Sequence, residues 1–125
     1  MAFVKTFEDL EVYKFQRELS KKIFAVSGTF PKEEMYSLTD QIRRSSRSIG
    51  ANISEAWGKR RYEKHFVSKL TDADAEQLET QHWLLVALDC EYLSSETAET
   101  LKSDCLAINR MLNSMMLKAS QFCNL

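Results

Sequence analysis

The stretch AETLKSDCLAINRMLNSMMLKASQF, residues 98–122, carries the most regular apolar pattern in the sequence. Intervals of three and four residues alternate along this series: Ala98, Leu101, Cys105, Ile108, Leu112, Met115, Ala119, Phe122. Such spacing places these side chains on one face of an α-helix. Ser94 or Ser95 is the expected N-cap, because a serine hydroxyl can accept a hydrogen bond from the first turn. The stretch predicts an amphipathic helix that needs partner helices to cover its apolar face.

Three further helices are predicted before this one. They cover about residues 9–27, 32–57 and 63–92, and Gly28, Pro31, Gly58 and the Ser94-Ser95 pair separate them. Connections this short favour antiparallel neighbours. The sequence therefore predicts an all-α fold, an antiparallel up-down-up-down four-helix bundle, formed by a single domain over residues 1–125.

Each of these three helices has a stripe that is expected to face the core. The stripes are Val12, Phe15, Leu19, Ile23, Val26; then Leu38, Ile42, Ile49, Ile53, Ala56, with Ser45 or Ser46 at the skipped position; then Val67, Leu70, Asp74, Leu78, Gln81, Leu85, Leu88. The segment WLLVAL, residues 83–88, is apolar all round the helix, which indicates a second buried or docking surface. Polar residues near the core edges are expected to form a hydrogen-bonded network with Arg43 or Arg44. They are Asp74, Gln81, Asn52 and Glu79.

Composition supports a helical protein and excludes several classes. One proline and three glycines in 125 residues are too few for a many-turned β fold. The N-terminus lacks the pattern of a signal peptide, and no stretch is apolar enough to span a membrane. Three cysteines without framework spacing fit reduced thiols. We therefore expect a cytoplasmic protein with no membrane partner.

The net charge of -1 hides a strong asymmetry along the chain. Between Arg43 and Lys69 there are eight basic residues and two acidic ones. Between Asp72 and Asp104 there are nine acidic residues, and Lys102 is the one basic residue. The protein as a whole is not a polycation, so any binding to nucleic acid would be confined to the basic segment.

This basic segment has three interpretations. It is a solvated face, or a nucleic-acid surface, or one side of a head-to-tail contact with the acidic segment of another subunit, which closes into a ring if the rotation permits. In the second interpretation, Gly50, Ala51 and Ser54 would let a phosphate backbone approach. Tyr62 is a further candidate for stacking. The residues assigned to nucleic-acid binding are Arg44, Arg47, Trp57, Lys59, Arg60, Arg61 and Lys64.

Catalytic and metal chemistry have little support in the sequence. Glu79 to His82 matches the Glu-x-x-His step of di-iron bundles, but the other histidine, His65, has no glutamate three residues before it. No phosphate-binding loop, nucleophile elbow or carboxylate pair is present. We predict a protein that is not an enzyme, with no catalytic residue, no metal site and no cofactor.

Three segments together resemble the family of 23S rRNA intervening-sequence proteins. They are FEDLEVYKFQRELSKKIF, FPKEEMYSLTDQIRRSSRSIGANISEAWGK and AEQLETQHWLLVAL, and the resemblance spans roughly residues 7–120. Its most specific parts are residues 41–44, Ala51-Asn52-Ile53 with Glu55, and residues 78–81. The chain departs from the family pattern at Glu55-Ala56-Trp57-Gly58.

The resemblance implies a bacterial cytosolic four-helix bundle. It also implies kinship with the accessory protein of diversity-generating retroelements, a similar bundle that forms a pentameric ring and works with a reverse transcriptase and nucleic acid. Together with the basic segment, it predicts a self-assembling bundle that binds rRNA or another structured nucleic acid through the second helix and the loop after it. The alternative is a protein-interaction scaffold or accessory subunit without nucleic-acid contact.

Overall fold

The computed structural model describes residues 4–123, and within this range it contains helices and no strand. Four long helices are present, followed by one short helix. They are α1 (Glu11–Ser27), α2 (Leu38–Gly58), α3 (Glu63–Asp89), α4 (Ser95–Leu117) and α5 (Ala119–Phe122). Short 3-10 helices, Phe7–Asp9 and Lys32–Glu34, precede α1 and α2. The all-α prediction is confirmed.

Each long helix packs antiparallel to the next, and α1 closes the bundle against α4. The register is visible in the hydrogen bonds that join successive pairs. Ser20 Oγ donates to Ser46 O at 3.3 Å, Ser45 Oγ lies 2.9 Å from Thr80 Oγ1, Asn109 Nδ2 donates to Asp74 Oδ1 at 2.8 Å, and Lys22 Nζ pairs with Asp104 at 3.0 Å. The up-down-up-down topology is therefore confirmed.

The core stripes of α2 and α4 are also confirmed. All eight α4 and α5 positions from Ala98 to Phe122 are buried. In α2 the five predicted positions are buried, and both Ser45 and Ser46 join them. The α1 stripe is buried at Val12, Leu19 and Ile23 and partly buried at Phe15 and Val26. These helices show a clear contrast between apolar and polar faces, so their spacing alone orients them.

The predicted core stripe of α3 is confirmed at Leu70 and is wrong at Leu78 and Leu85. Leu78 and Leu85 are 56% and 50% exposed, while the buried series is Phe66, Leu70, Ala73, Gln77, Thr80, Leu84, Ala87. Apolar residues surround the C-terminal half of α3, so hydrophobicity does not select one face there. Small residues at 73, 80 and 87 lie on this buried face, and Thr80 meets the small Ser45 of α2, so close packing rather than hydrophobicity accounts for the face that turns inward.

Three helix ends lie at other residues than the sequence predicted. α1 begins at Glu11, because the Asp9 carboxylate accepts from the backbone of Lys5 and Thr6 and closes a separate turn. These backbone hydrogen bonds lower the pKa of Asp9 below its usual value. α3 ends at Asp89, since Glu91 takes a left-handed backbone with φ of 61°. α4 ends at Leu117 rather than at Phe122.

The connection before α2 is held by contacts with the α3–α4 turn, which explains why α2 begins at Leu38 instead of residue 32. Tyr92 Oη donates to the Glu34 carboxylate at 2.9 Å, and its ring lies 5.5 Å from the ring of Phe30. The Leu38 backbone N–H donates to Glu34 at 3.3 Å. The hydrogen bond to Glu34 raises the pKa of Tyr92 to about 12.

All four long helices contribute to one continuous core. The prediction of one domain over residues 1–125 stays a prediction, since residues 1–3 and 124–125 lie outside the described part. No helix within that part is long and apolar enough to cross a membrane.

Candidate nucleic-acid interface

The small residues on the inner side of α2 are covered by the protein's own side chains. Ser45 and Ser46 are buried, and Gly50 lies directly against Gln16 of α1. A Cβ atom on Gly50 would lie 2.4 Å from the Gln16 side-chain nitrogen, so this position requires glycine unless Gln16 moves. Gly50 therefore allows the close approach of α1 to α2. It also lines an open groove between these helices, so the approach of a phosphate backbone there stays a prediction. Ala51 is exposed and Ser54 is partly exposed.

Arg43 binds the C-terminal end of α1. Its Nε donates to Ser27 Oγ at 2.8 Å, its Nη2 donates to Phe24 O at 3.2 Å, and the guanidinium lies 4.4 Å from the centre of the Phe24 ring. A cation at this position also interacts favourably with the negative end of the α1 dipole. Arg43 is thus a structural residue.

Arg44 and Arg47 point away from the core and are exposed, as predicted. Among residues 4–123, no carboxylate oxygen lies within 4.0 Å of either guanidinium. Both arginines line a groove of about 450 Å³ together with Arg43, Ser48 and Ala51, and the carboxylate residue Asp40 lines it as well. The groove is open, and small side chains line it between the arginines.

A second groove, of about 350 Å³, joins Arg47 and Ala51 to the neighbouring helix α1. Arg17 and Lys21 contribute to it from α1, and Lys21 also pairs with Glu18 at 3.2 Å. These two cations were absent from the predicted set. Their four-residue spacing, together with the short connection that aligns α1 antiparallel to α2, is the signal that would have placed them beside Arg47.

The second group of predicted residues lies at the end of the bundle, in the connection between α2 and α3. Lys59, Arg61 and Lys64 are exposed. Arg60 instead lies over the Trp57 ring, 3.6 Å from its centre, and its Nε donates to Trp57 O at 2.8 Å. Trp57 is partly buried against the core, so a base would have to displace Arg60 to stack on that face of the indole.

The seven predicted residues therefore form two basic groups. Twelve helical rises separate Arg47 from Lys59, which corresponds to roughly 18 Å along α2. Lys69 belongs to neither group, because it pairs with Glu55 at 3.1 Å and Asp72 at 3.7 Å. The hydrogen bond with Glu55 raises the pKa of Lys69 above its usual value.

An acidic flank on α3 borders the first group. Its residues are Asp72, Glu76 and Glu79. Oxygen Oε1 of Glu76 is buried without a hydrogen-bond partner in the described residues. Burial raises the pKa of Glu76, the neighbouring Glu79 adds to this effect, and Arg44 opposes it. The positive charge of the arginine grooves is therefore bordered by negative charge at the α2–α3 boundary.

Comparison with known proteins places this bundle among relatives. The model of the family described as 23S rRNA-intervening sequence protein matches residues 8–114. The chain belongs to this family. The matched region contains all seven candidate residues and both basic groups.

A solved structure supports the family assignment. The chain is 31% identical to a protein of unknown function from the S23 ribosomal protein family of Bacteroides thetaiotaomicron VPI-5482, with a TM-score of 0.75. The match covers 84% of this chain and 97% of that one. No curated protein matches the sequence significantly. Family membership thus supports the fold and leaves the activity open.

Of the predicted polar network, only Asp74 and Gln81 form one, whereas Asn52 donates to Ser48 O and Glu79 accepts from Trp83 instead. Gln81 donates to Gln77 at 2.7 Å, and Gln77 and Asn109 both donate to Asp74, at 3.0 and 2.8 Å. This network joins α3 to α4. It does not include Arg43, which binds α1.

The opposite side of the bundle has exposed apolar residues. Leu78 and Leu85 of α3 and Leu106 of α4 are 56%, 50% and 42% exposed. Leu78 and Leu106 each lie one turn from the Asp74–Asn109 hydrogen bond, on the outer side of the same seam.

Within the described range, no three His, Cys, Asp or Glu residues form a group that would hold a metal ion.

Proposed function

We propose that the protein is a non-enzymatic, self-assembling bundle that binds structured RNA through the α1–α2 face and the α2–α3 connection. The observation that carries this proposal is the exposure of Arg44 and Arg47, without carboxylate partners among residues 4–123, beside grooves lined by small residues. Arginines in such a setting keep their donors for phosphate oxygens. Family membership supports ribosomal RNA as the first candidate partner.

The two basic groups have distinct tasks in this proposal. Arg44 and Arg47, with Arg17 and Lys21, contact one stretch of phosphate backbone. Lys59, Arg61 and Lys64 contact a second stretch at the end of the bundle, while Arg60 holds Trp57 in place. Two separated phosphate contacts favour a folded RNA over a short single strand.

Charge reversal and salt dependence test RNA binding. We expect the double variant Arg44→Glu, Arg47→Glu to bind an rRNA fragment at least about tenfold more weakly, because counterion release drives phosphate binding. The logarithm of wild-type affinity should fall linearly with the logarithm of salt concentration, by roughly 0.7 to 0.9 per phosphate neutralised. The control is Arg110→Glu on the outer side of α4. If the double variant binds the RNA as tightly as the Arg110→Glu control in fluorescence anisotropy titrations, the proposal is contradicted.

The second basic group is tested separately. The variant Arg60→Glu, Arg61→Glu should also weaken RNA binding and should reduce the salt slope. Full retention of affinity would remove the α2–α3 connection from the interface while leaving the arginine grooves in it.

Self-assembly has its own support. Leu78, Leu85 and Leu106 expose apolar surface on the α3–α4 side of the bundle. The acidic segment of one subunit and the basic segment of the next are complementary in sign, which fits a head-to-tail ring, and the resemblance to the retroelement accessory protein suggests about five subunits. A reverse transcriptase is a further candidate partner on the same ground. Light scattering at low and high salt tests assembly, and a monomer in both conditions would exclude the ring.

The same apolar side favours the alternative function, a protein-interaction scaffold or accessory subunit that does not touch nucleic acid. The two functions differ in one measurable result. A scaffold would assemble through the leucines while showing no salt-dependent affinity for RNA. Anisotropy titrations and light scattering on one sample therefore separate them.

A further inference from the structure

Tyr62 presents an aromatic ring beside the second basic group. Its side chain lies at the start of α3 and is 59% exposed. The ring centre of His65 is 5.4 Å away, and the planes of the two rings are inclined by 58°. Tyr62 and His65 line a shallow, open concavity of about 880 Å³ with Arg61, Lys64, Val67 and Ser68. Glu63 also borders it, and the two cations outweigh this single carboxylate.

The chemistry of this concavity suits a nucleotide that is not base-paired. An exposed aromatic face stacks on a base that has left its own stack, whereas the bases of a duplex offer no free face. Arg61 and Lys64 lie on the same concavity, where cations meet the phosphates that flank such a base. Trp57 is less suited to this contact, because the Arg60 guanidinium already covers one side of its ring at 3.6 Å.

We propose that Tyr62, supported by His65, stacks on an unpaired base of the bound RNA while Arg61 and Lys64 hold the adjacent phosphates. This inference rests on the proposed RNA binding and narrows its target to an RNA with a loop or bulge next to a duplex. The duplex part contacts Arg44 and Arg47, and the unpaired nucleotide occupies the concavity at the end of the bundle.

The side chain of Tyr62 can be removed without removing the start of α3. The helix-capping contacts of this residue come from its backbone: its carbonyl oxygen accepts from the His65 and Phe66 N–H groups, each at 3.0 Å. The structure shows no side-chain capping hydrogen bond at this position. Tyr62→Ala should therefore keep the fold, and circular dichroism checks this.

The test compares two RNAs with the same stem, one closed by a loop containing 2-aminopurine and one fully paired. Tyr62→Ala should weaken binding of the looped RNA by roughly five- to 150-fold, the range expected for loss of one aromatic–base stack, and should leave the paired RNA unchanged. Tyr62→Phe should restore wild-type affinity and quenching of 2-aminopurine. Tyr36→Ala is the matched control, since Tyr36 is 90% exposed at the other end of the bundle.

Each result has a defined meaning. An unchanged affinity of Tyr62→Ala for the looped RNA, or equal weakening for both RNAs, overturns the stacking inference. If Arg44→Glu, Arg47→Glu still weakens binding in the same experiment, the proposed function stands without it. If wild-type protein binds neither RNA, the proposed function fails together with the inference.

Discussion

The two sides of α2 carry similar residues with opposite roles. On the side that faces α1, Arg43 binds the end of α1 and Gly50 is covered by Gln16. On the outer side, Arg44 and Ala51 border open grooves. An arginine or a small residue in a helix thus indicates close approach of another group, and at Arg43 and Gly50 that group is another helix of the same protein.

The largest change in stability is expected at two neighbouring leucines of α3, of which one faces the core and the other faces solvent. Leu84 is buried and Leu85 is half exposed. Leu84→Ala should lower the free energy of unfolding by about 3 kcal/mol because it leaves a cavity in the core. Leu85→Ala should change it by no more than about 0.5 kcal/mol. Urea denaturation followed by circular dichroism measures both, and the reverse order would show that α3 has the register originally predicted from its sequence.

A smaller change in stability is expected at the adjacent small residues Gly50 and Ala51 of α2. Gly50→Leu should destabilise the protein by about 2 kcal/mol, because the new side chain pushes Gln16 and α1 away. Ala51→Leu, one residue along, should be nearly neutral. Adding Gln16→Ala to Gly50→Leu should recover part of the loss in the same denaturation assay. If leucine at positions 50 and 51 changes the stability equally, the two sides of α2 do not differ in packing.

The adjacent arginines give the third comparison. Arg43→Ala should cost about 1.5 kcal/mol of unfolding free energy, since it removes hydrogen bonds from a charged donor to the end of α1. Arg44→Ala should cost less than about 0.5 kcal/mol, because its side chain is exposed. Thermal unfolding of the two variants decides the matter. A larger loss for Arg44→Ala would mean that the outer arginine is the structural one.

The smallest effect concerns Glu76 at the border between the arginine groove and α3. Because its pKa is raised in the folded protein, the native state holds this proton more tightly than the unfolded chain. Stability should therefore fall as pH rises from the ordinary value of 4.5 through the raised pKa. Glu76→Gln removes this loss and should stabilise the protein slightly at pH 7, because solvent screens much of the effect on a side chain that is only partly buried.

The pH dependence of Glu76→Gln is the check. Its advantage over wild type should shrink as pH falls from the raised pKa towards 4.5, and it should be lost below 4.5, where the wild-type carboxyl is protonated in both states. Glu99→Gln, which alters an exposed carboxylate of α4, is the control. A constant difference between Glu76→Gln and wild type from pH 4 to 7 would show that the buried oxygen does not couple to protonation.

The sequence predicts the outward direction of the arginines in the candidate interface, but it does not predict the full set of residues that form this interface. The outward direction of Arg44 and Arg47 follows from their angle to the stripe of Ile42, Ile49 and Ile53, and the structure confirms it. Arg17 and Lys21 were missed because they come from another helix. The contact of Arg60 with Trp57 was missed because it depends on how the chain turns after Gly58.

The sequence by itself determined the four helices, their antiparallel order and the inner faces of α1, α2 and α4, because a single clear stripe every three or four residues leaves one way to bury each helix. Tertiary structure alone decided the inner face of α3 and the roles of the small and basic residues of α2. The physical reason is close packing: Ala73, Thr80 and Ala87 lie on the buried face of α3, where Thr80 meets Ser45 of α2, and the Gln16 side chain occupies the space beside Gly50. Hydrophobic spacing does not contain that information.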